Sequence, residues 1–223
     1  MLFIGFLAIF ASKAQAQNLQ LLADTERRCI TGTFEMFRPD AFGSTFCFVD
    51  MDYKRSAIGA YTEVAREFCF WQDTDWAWLS IHAEFNGGLE GAYSFPVAWL
   101  AGLTYSGHTA DYNMIWSLTA SYKAIPGLYD NQGNRRMHSM QITGVWGMNF
   151  FDGWCSFSGF ADVWREASTH IFLSEPQVWV NLNKIPGCSD IPFSIGGELE
   201  LSYNFGGIPG FKARPAFGGK WTF

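Results

Sequence analysis

Three side chains with the chemistry of an acyl-transfer site occupy alternate positions of one short stretch: Ser80, His82 and Glu84. Such catalysis combines a hydroxyl nucleophile, an imidazole base and a carboxylate. Residues i, i+2 and i+4 of a strand point to the same side, so the three would share one face. No strained nucleophile turn and no second motif accompany them. We therefore interpret His82 as a histidine held by polar neighbours, and we expect no catalytic residue and no enzymatic activity.

The remaining histidines and the cysteines show no metal-binding pattern. His108, His138 and His170 are widely spaced, and the cysteines lack the C-x-x-C spacing of zinc sites. The segments GGLEG and GGIPG are typical of turns rather than phosphate cradles. We expect no metal and no cofactor. The five cysteines are an odd number, and one pair could form a disulfide in an oxidising compartment, although spacing does not say which.

The stretch containing His82 alternates apolar and polar side chains with period two, which indicates a strand. The same alternation recurs along the chain and predicts about twelve strands. They cover residues 18–23, 29–37, 44–53, 57–71, 76–86, 94–106, 111–124, 137–150, 154–167, 170–183, 191–205 and 211–223. An even number of antiparallel strands is typical of bacterial outer-membrane barrels. Arg66 shares the apolar face of its strand, which predicts either a bulge or a snorkelling side chain there.

Alternation alone does not say which face points inward, because a soluble lipocalin-type barrel alternates too. Aromatic residues near alternate turns favour a membrane barrel, since they would form a girdle at one interface. They are Phe37, Phe42, Trp71, Trp76, Phe150, Trp154, Trp221 and Phe223. With both termini in the periplasm, the outer loops fall near 24–28, 54–56, 87–93, 125–136, 168–169 and 206–210. The predicted fold is all-β: one transmembrane, antiparallel up-and-down barrel.

Composition agrees with a lipid-facing surface. Aromatic residues form 18% of the chain and charged residues 16%, whereas charged residues reach about 25% in soluble domains. Beyond residue 16, no segment approaches the roughly 18 apolar residues of a spanning helix. The net charge of −6 offers no basic surface, so we expect no nucleic-acid partner.

The amino terminus has the features of an export signal. An apolar core follows the initial Met and precedes an A-x-A cleavage site at residues 14–16. We predict a signal peptide over 1–16 and a single barrel domain over 17–223, located in the outer membrane of a Gram-negative bacterium.

The last strand ends on alternating outward aromatic residues, Phe217, Trp221 and Phe223. This ending resembles the carboxyl-terminal signal that the outer-membrane barrel-assembly machinery reads. The resemblance implies that this machinery and outer-membrane lipid are partners of the chain.

The segment FEMFRPDAFGSTFCFVDMDY, with AEFNGG at residues 83–88, resembles an uncharacterised barrel family, a domain of unknown function, of Bacteroidota outer membranes. That family is similar to the Tsx nucleoside-specific channels. The resemblance implies a twelve-stranded barrel and passage of small hydrophilic solutes. No Tsx nucleoside-contact motif aligns with this sequence, so a nucleoside is one candidate solute among several.

Parity predicts which side chains face the lumen, and acidic groups outnumber basic ones there. The candidate solute-pathway residues are Glu35, Asp50, Asp52, Glu63, Glu67, Trp78, His82, Glu84, Asn86, Asp162, Trp164, Glu175, Trp179, Glu198, Glu200, Arg214 and Lys220. A carboxylate-lined pore favours cations and neutral polar solutes. The predicted function is a passive channel for such solutes. The alternatives are an interior filled by paired charges and an accessory barrel that docks another envelope protein.

Overall fold

The computed structural model describes residues 16–54, 58–90 and 93–223. The predicted signal peptide lies outside these residues except for Ala16. The strands are β1 (Ala16–Asp24), β2 (Cys29–Asp40), β3 (Gly43–Tyr53), β4 (Ile58–Phe68), β5 (Leu79–Glu90), β6 (Tyr93–His108), β7 (Met114–Ala124), β8 (His138–Phe150), β9 (Cys155–Glu166), β10 (Thr169–Ser174), β11 (Gln177–Asn181), β12 (Phe193–Tyr203) and β13 (Phe211–Thr222). Within the described ranges, no helix has the length and apolar character needed to cross a membrane.

The strands form a closed antiparallel barrel. Each strand pairs with one strand on either side, and β1 pairs with both β2 and β13, which closes the sheet. Strands β10 and β11 both pair with β9 and β12, and their register continues unchanged across Glu175 and Pro176. They are therefore two halves of one strand, and the barrel has twelve. The predicted all-β architecture is confirmed.

The two faces of the barrel differ sharply in polarity. On β7, Leu118 is 52% exposed on the outer face, whereas its neighbour Thr119 and the next inward residue, Ser121, are buried. Apolar side chains cover the outside of the other strands in the same way, for example Leu21 on β1 and Ile195 on β12. This distribution is the reverse of that in a soluble barrel, which keeps its apolar face inside.

The connections alternate between two ends of the barrel, named here the Ala16 end and the Asp24 end after the two ends of β1. The connections at 25–28, 125–137, 167–168 and 204–210 lie at the Asp24 end. The longest of them, 125–137, matches the longest predicted loop. Aromatic side chains of the predicted girdle, among them Phe42, Trp76 and Trp154, are exposed at the Ala16 end.

Strand β5 departs from the prediction at both of its ends. It begins at Leu79 rather than at residue 76, and it continues to Glu90 instead of ending at residue 86. A register shift between Asn86 and Gly88 lets the strand continue. A Cβ at Gly88 would lie 2.3 Å from the carbonyl oxygen of Ala60, so this close approach requires glycine. The predicted loop at 87–93 is therefore too long, because residues 87–90 belong to β5 and Tyr93 begins β6.

Arg66 is a snorkelling side chain. Strand β4 pairs without a register shift around it, which excludes a bulge. Its guanidinium donates to the Asp40 carboxylate, with an Nη1–Oδ2 distance of 2.6 Å, and lies 5.2 Å from the centre of the Phe68 ring. The apolar stem of the Arg66 side chain thereby lies along the outer face, and its charged group reaches the rim of the barrel.

Closure depends on a close contact between β1 and β13. A Cβ at Gly218 would lie 1.8 Å from the Leu21 carbonyl oxygen, whereas a Cβ at Gly144 on β8 would meet no atom within 4 Å.

We expect Gly218→Ala to lower the free energy of unfolding by about 1–3 kcal/mol through overpacking. Urea unfolding in lipid vesicles, followed by tryptophan fluorescence, measures this. Gly144→Ala is the control and should unfold like the wild type, and equal stability of both variants would contradict the proposed contact.

Candidate functional site: the barrel lumen

The predicted lumen residues occupy inward-facing strand positions with one exception. Those that face the lumen are Glu35, Asp50, Asp52, Glu63, Glu67, His82, Glu84, Asn86, Asp162, Trp164, Glu175, Trp179, Glu198, Glu200, Arg214 and Lys220. The prediction for Trp78 is wrong. It lies in the turn before β5, where strand parity does not apply, and its ring packs against the outward-facing Tyr105.

The aromatic residues predicted to form an assembly signal lie where parity places them. Phe217 and Trp221 are exposed on the outer face of β13, and Phe223 follows that strand and is exposed as well. The Trp221 ring contacts Phe193 on the neighbouring strand β12. Recognition of this ending by the assembly machinery stays a prediction.

His82 is held between two carboxylates. Its Nδ1 lies 2.6 Å from Glu67 Oε1, and its Nε2 lies 3.2 Å from Glu84 Oε2. Ser80 donates to Glu67 rather than to the imidazole, over 2.5 Å, and the Thr104 hydroxyl donates to the same carboxylate. Both ring nitrogens therefore face carboxylates, and the Ser80 hydroxyl faces Glu67 rather than the imidazole. The arrangement is a hydrogen-bonded network rather than an acyl-transfer triad.

The network continues around the wall as a series of polar contacts. The hydroxyls of Thr104 and Thr119 lie 2.8 Å apart. Beyond them, the Lys123 ammonium donates to Gln141 Oε1 over 2.6 Å and sits 4.2 Å from the centre of the Trp164 ring. This cation–π contact is buried, where such contacts are strongest. Lys123 carries one of the few positive charges among the described lumen residues, at the inward position that strand parity predicts.

A second group of charges lies at the Asp24 end. Arg27 contacts three carboxylates, with nitrogen–oxygen distances of 2.5 Å to Asp24, 3.8 Å to Asp52 and 3.8 Å to Glu200. Arg214 also pairs with Glu200. Sequence reasoning missed Asp24 and Arg27 because they fall at a predicted loop. The i, i+3 spacing of Asp24 and Arg27 in the segment DTERR was the sequence signal that could have predicted this ion pair.

Trp179 fills part of the lumen from β11, the strand next to β9, which carries Trp164. It is fully buried and packs with Leu22 and Ala216 in a small apolar cluster. The Lys220 ammonium lies 4.6 Å from its ring centre, and its indole nitrogen donates to Gln177 Oε1 over 2.9 Å. Two lysine–tryptophan contacts on neighbouring strands thus occupy space inside the barrel.

The long connection at the Asp24 end folds inward. Ile125 is buried against the inward-facing Ala98 and Leu100, and Leu128 packs on this cluster. Beyond it, Asp130 accepts hydrogen bonds from the backbone amides of Gln132 and Asn134 and from other groups of residues 132–136. The segment therefore forms an ordered cover over part of the mouth.

A cavity of about 400 Å³ lies at the Ala16 end, lined by Asn181, Asn183, Pro192, Phe193, Ser194, Thr222 and Phe223. Asn181 and Ser194 join across its wall through a hydrogen bond of 2.7 Å. The cavity lies between the connection after β11, the start of β12 and the end of β13.

The structure describes all five cysteines, and each is a free thiol. Among the described residues, no three histidine, cysteine, aspartate or glutamate side chains are grouped to hold a metal ion. The described lumen side chains offer hydrogen-bonding groups, carboxylate charge and aromatic faces.

Comparison with known families gives one match. The family described as "Domain of unknown function (DUF5020)" matches residues 16–223. The chain belongs to this family. The matched residues include every strand of the barrel, so the barrel is the structure of the family domain in this chain. No curated protein matches the sequence.

The cover at the Asp24 end depends on Asp130. The backbone amide of Asn134 contributes most to holding the pKa of Asp130 low, at about 2. A carboxyl group with a depressed pKa stabilises the folded form above its unfolded pKa, and this contribution is lost as the pH falls toward 2. We expect the cover to stay closed from pH 7 to pH 4 and to open near pH 2.

The variant Asp130→Ala should open the cover at neutral pH, because the amides of residues 132 and 134 lose their acceptor. Trypsin cleavage after Arg135 and Arg136 should then become several-fold faster. Asn131→Ala, an exposed neighbour, is the control and should be cleaved like the wild type. Equal cleavage of the two variants would show that Asp130 does not hold the cover.

Proposed function

We propose that this protein is an outer-membrane barrel that lets small hydrophilic solutes cross passively, with a preference for cations and neutral polar solutes. The apolar outer face supports the membrane location, because a soluble barrel would not expose side chains such as Leu118 and Ile195 to water. Closure of the sheet supports it as well, since lipid tolerates no unpaired strand edge. The Ala16 end, which carries the exposed aromatic residues, faces the periplasm in this proposal.

The observation that carries the proposal is the excess of carboxylates on the inward face. Glu63 and Glu84 lie near mid-height, Asp52 and Glu200 lie toward the Asp24 end, and Glu35 lies toward the Ala16 end. Carboxylates at successive heights lower the energy of a cation along the whole path and raise that of an anion.

Size and chemistry of the solute follow from what fills the lumen. Space inside the barrel is taken up by the buried rings of Trp164 and Trp179 and by the cover near Ile125, which favours small solutes. A nucleoside is one candidate, suggested by the resemblance to the Tsx channels and to Bacteroidota barrels. Each indole carries a lysine ammonium on one face. A flat base would therefore have to displace a lysine to stack there.

A second candidate function is an accessory barrel that docks another envelope protein. The filled interior beside Trp179 favours this alternative. When hydrogen-bonded side chains fill a lumen, solutes do not pass, and the outer surface is the part left to bind a partner. Co-purification of one stoichiometric partner after mild detergent extraction would support it over transport.

The channel proposal predicts measurable, cation-selective conductance in planar bilayers. Under a potassium chloride gradient, the reversal potential should have the sign of cation selectivity. Glu84→Gln and Asp52→Asn should each lower the cation-to-anion permeability ratio by about two- to fivefold, because one charge near a wet path contributes about 1 kcal/mol or less. The exposed Asp73→Asn in the turn before β5 is the control and should match the wild type. Silent bilayers with correctly folded protein, or anion selectivity, would overturn the proposal.

A further inference from the structure

One carboxylate oxygen inside the lumen lacks a hydrogen-bond partner. Asp162 on β9 is 8% exposed, and its Oδ1 is buried without a partner among the described residues. Its carboxyl group interacts with the side chains of Thr143 and Gln141 on β8, while Oδ1 stays without a donor, and its neighbour on β10 is Leu173. A buried, unpaired carboxylate oxygen is unfavourable unless something donates to it. The position therefore suits a ligand that carries a hydrogen-bond donor.

The charge around Asp162 favours a cation. Glu63 on β4 and Glu84 on β5 interact electrostatically with Asp162 across the lumen. Lys123 interacts with all three carboxylates. His82 contacts Glu84 through Nε2. Three carboxylates thus face one lysine and one histidine here, and the Asp162 Oδ1 oxygen has no hydrogen-bond partner among the described residues.

The contacts of Lys123 indicate which kind of cation binds in this part of the lumen. Its ammonium lies over the Trp164 ring, and its hydrogen bond goes to the neutral amide of Gln141. An indole face beside carboxylates is the environment that binds ammonium groups. A metal ion would need several oxygen ligands at short distance, and the described residues offer no such grouping. The site therefore matches an organic ammonium better than a metal ion.

We propose that Asp162, Glu84 and the face of Trp164 form an ammonium site, which binds the amino group of a small cationic solute. Lys123 occupies the indole face when no solute is present and so acts as a built-in competitor. The solute's N–H groups would donate to Asp162 Oδ1 while its charge lies over the indole. The inference deepens the proposed channel function, on which it rests for access of the solute to the lumen.

Ligand-observed NMR with methylammonium chloride tests the site in detergent-folded protein. Removing the competitor with Lys123→Met should tighten methylammonium binding by about tenfold or more, because the fraction of unoccupied sites rises. Adding Asp162→Asn to that variant should abolish the gain. Tetramethylammonium, which has no N–H donor, should bind more weakly than methylammonium, and sodium should not compete at equal concentration.

Lys184→Met is the matched control, because this lysine lies in the connection after β11 at the Ala16 end. It should bind methylammonium like the wild type. If Lys123→Met does not fold, as judged by heat-modifiable gel mobility, Lys123→Gln takes its place. Unchanged affinity after loss of the Lys123 ammonium, or binding that survives Asp162→Asn, would overturn the inference.

The binding measurement does not depend on conductance. If the bilayers are silent but methylammonium binds as expected, the channel proposal fails and the ammonium site stands. If the pore conducts but the Lys123 variant gains no affinity, the site is wrong and the channel proposal stands.

Discussion

Closure of the sheet through the pairing of β1 with β13 is the constraint on which the rest of the structure depends. Once the first and last strands pair, each described strand has a hydrogen-bonded neighbour on both sides and no strand edge remains. Closure also fixes which face of each strand points inward, because a slip of one residue would exchange the faces. The glycine at 218 belongs to this constraint, since it lets β13 approach Leu21 closely.

The polar interior of the barrel follows from the alternation of inward and outward side chains along each strand. Inward side chains are close together, so each charge must be paired or hydrogen-bonded. His82 between Glu67 and Glu84, and Arg27 among Asp24, Asp52 and Glu200, satisfy this requirement. Asp162 departs from it at one oxygen, and such departures are expected at functional positions.

Strand number, the closed antiparallel fold and the inward or outward side of most residues could be predicted from the sequence, because period-two alternation is a local signal. The prediction failed where local signals compete. The alternation of Trp76 and Trp78 with their neighbours resembles a strand, yet both lie in a turn. Gly87 and Gly88 resemble a loop, yet they continue β5 through a bulge.

Contacts between distant strands could not be predicted, because no local pattern encodes the register of one strand against another. The ion pairs of Arg27 begin in a turn, where parity gives no direction. The position of Lys123 over Trp164 depends on β7, β8 and β9 being aligned as they are. The same alignment leaves Asp162 Oδ1 without a donor, so the candidate site emerges only from the folded barrel.

Spin labels placed one at a time along β7 test the central claim that the apolar face meets lipid and the polar face encloses water. In a variant without the native cysteines, labels at residues 117–122 would be measured in lipid vesicles for collisions with oxygen and with a water-soluble nickel complex. We expect high oxygen accessibility at 118, 120 and 122 and low values at 117, 119 and 121. Equal or inverted accessibility, with the nickel complex reaching residues 118 and 122, would contradict it.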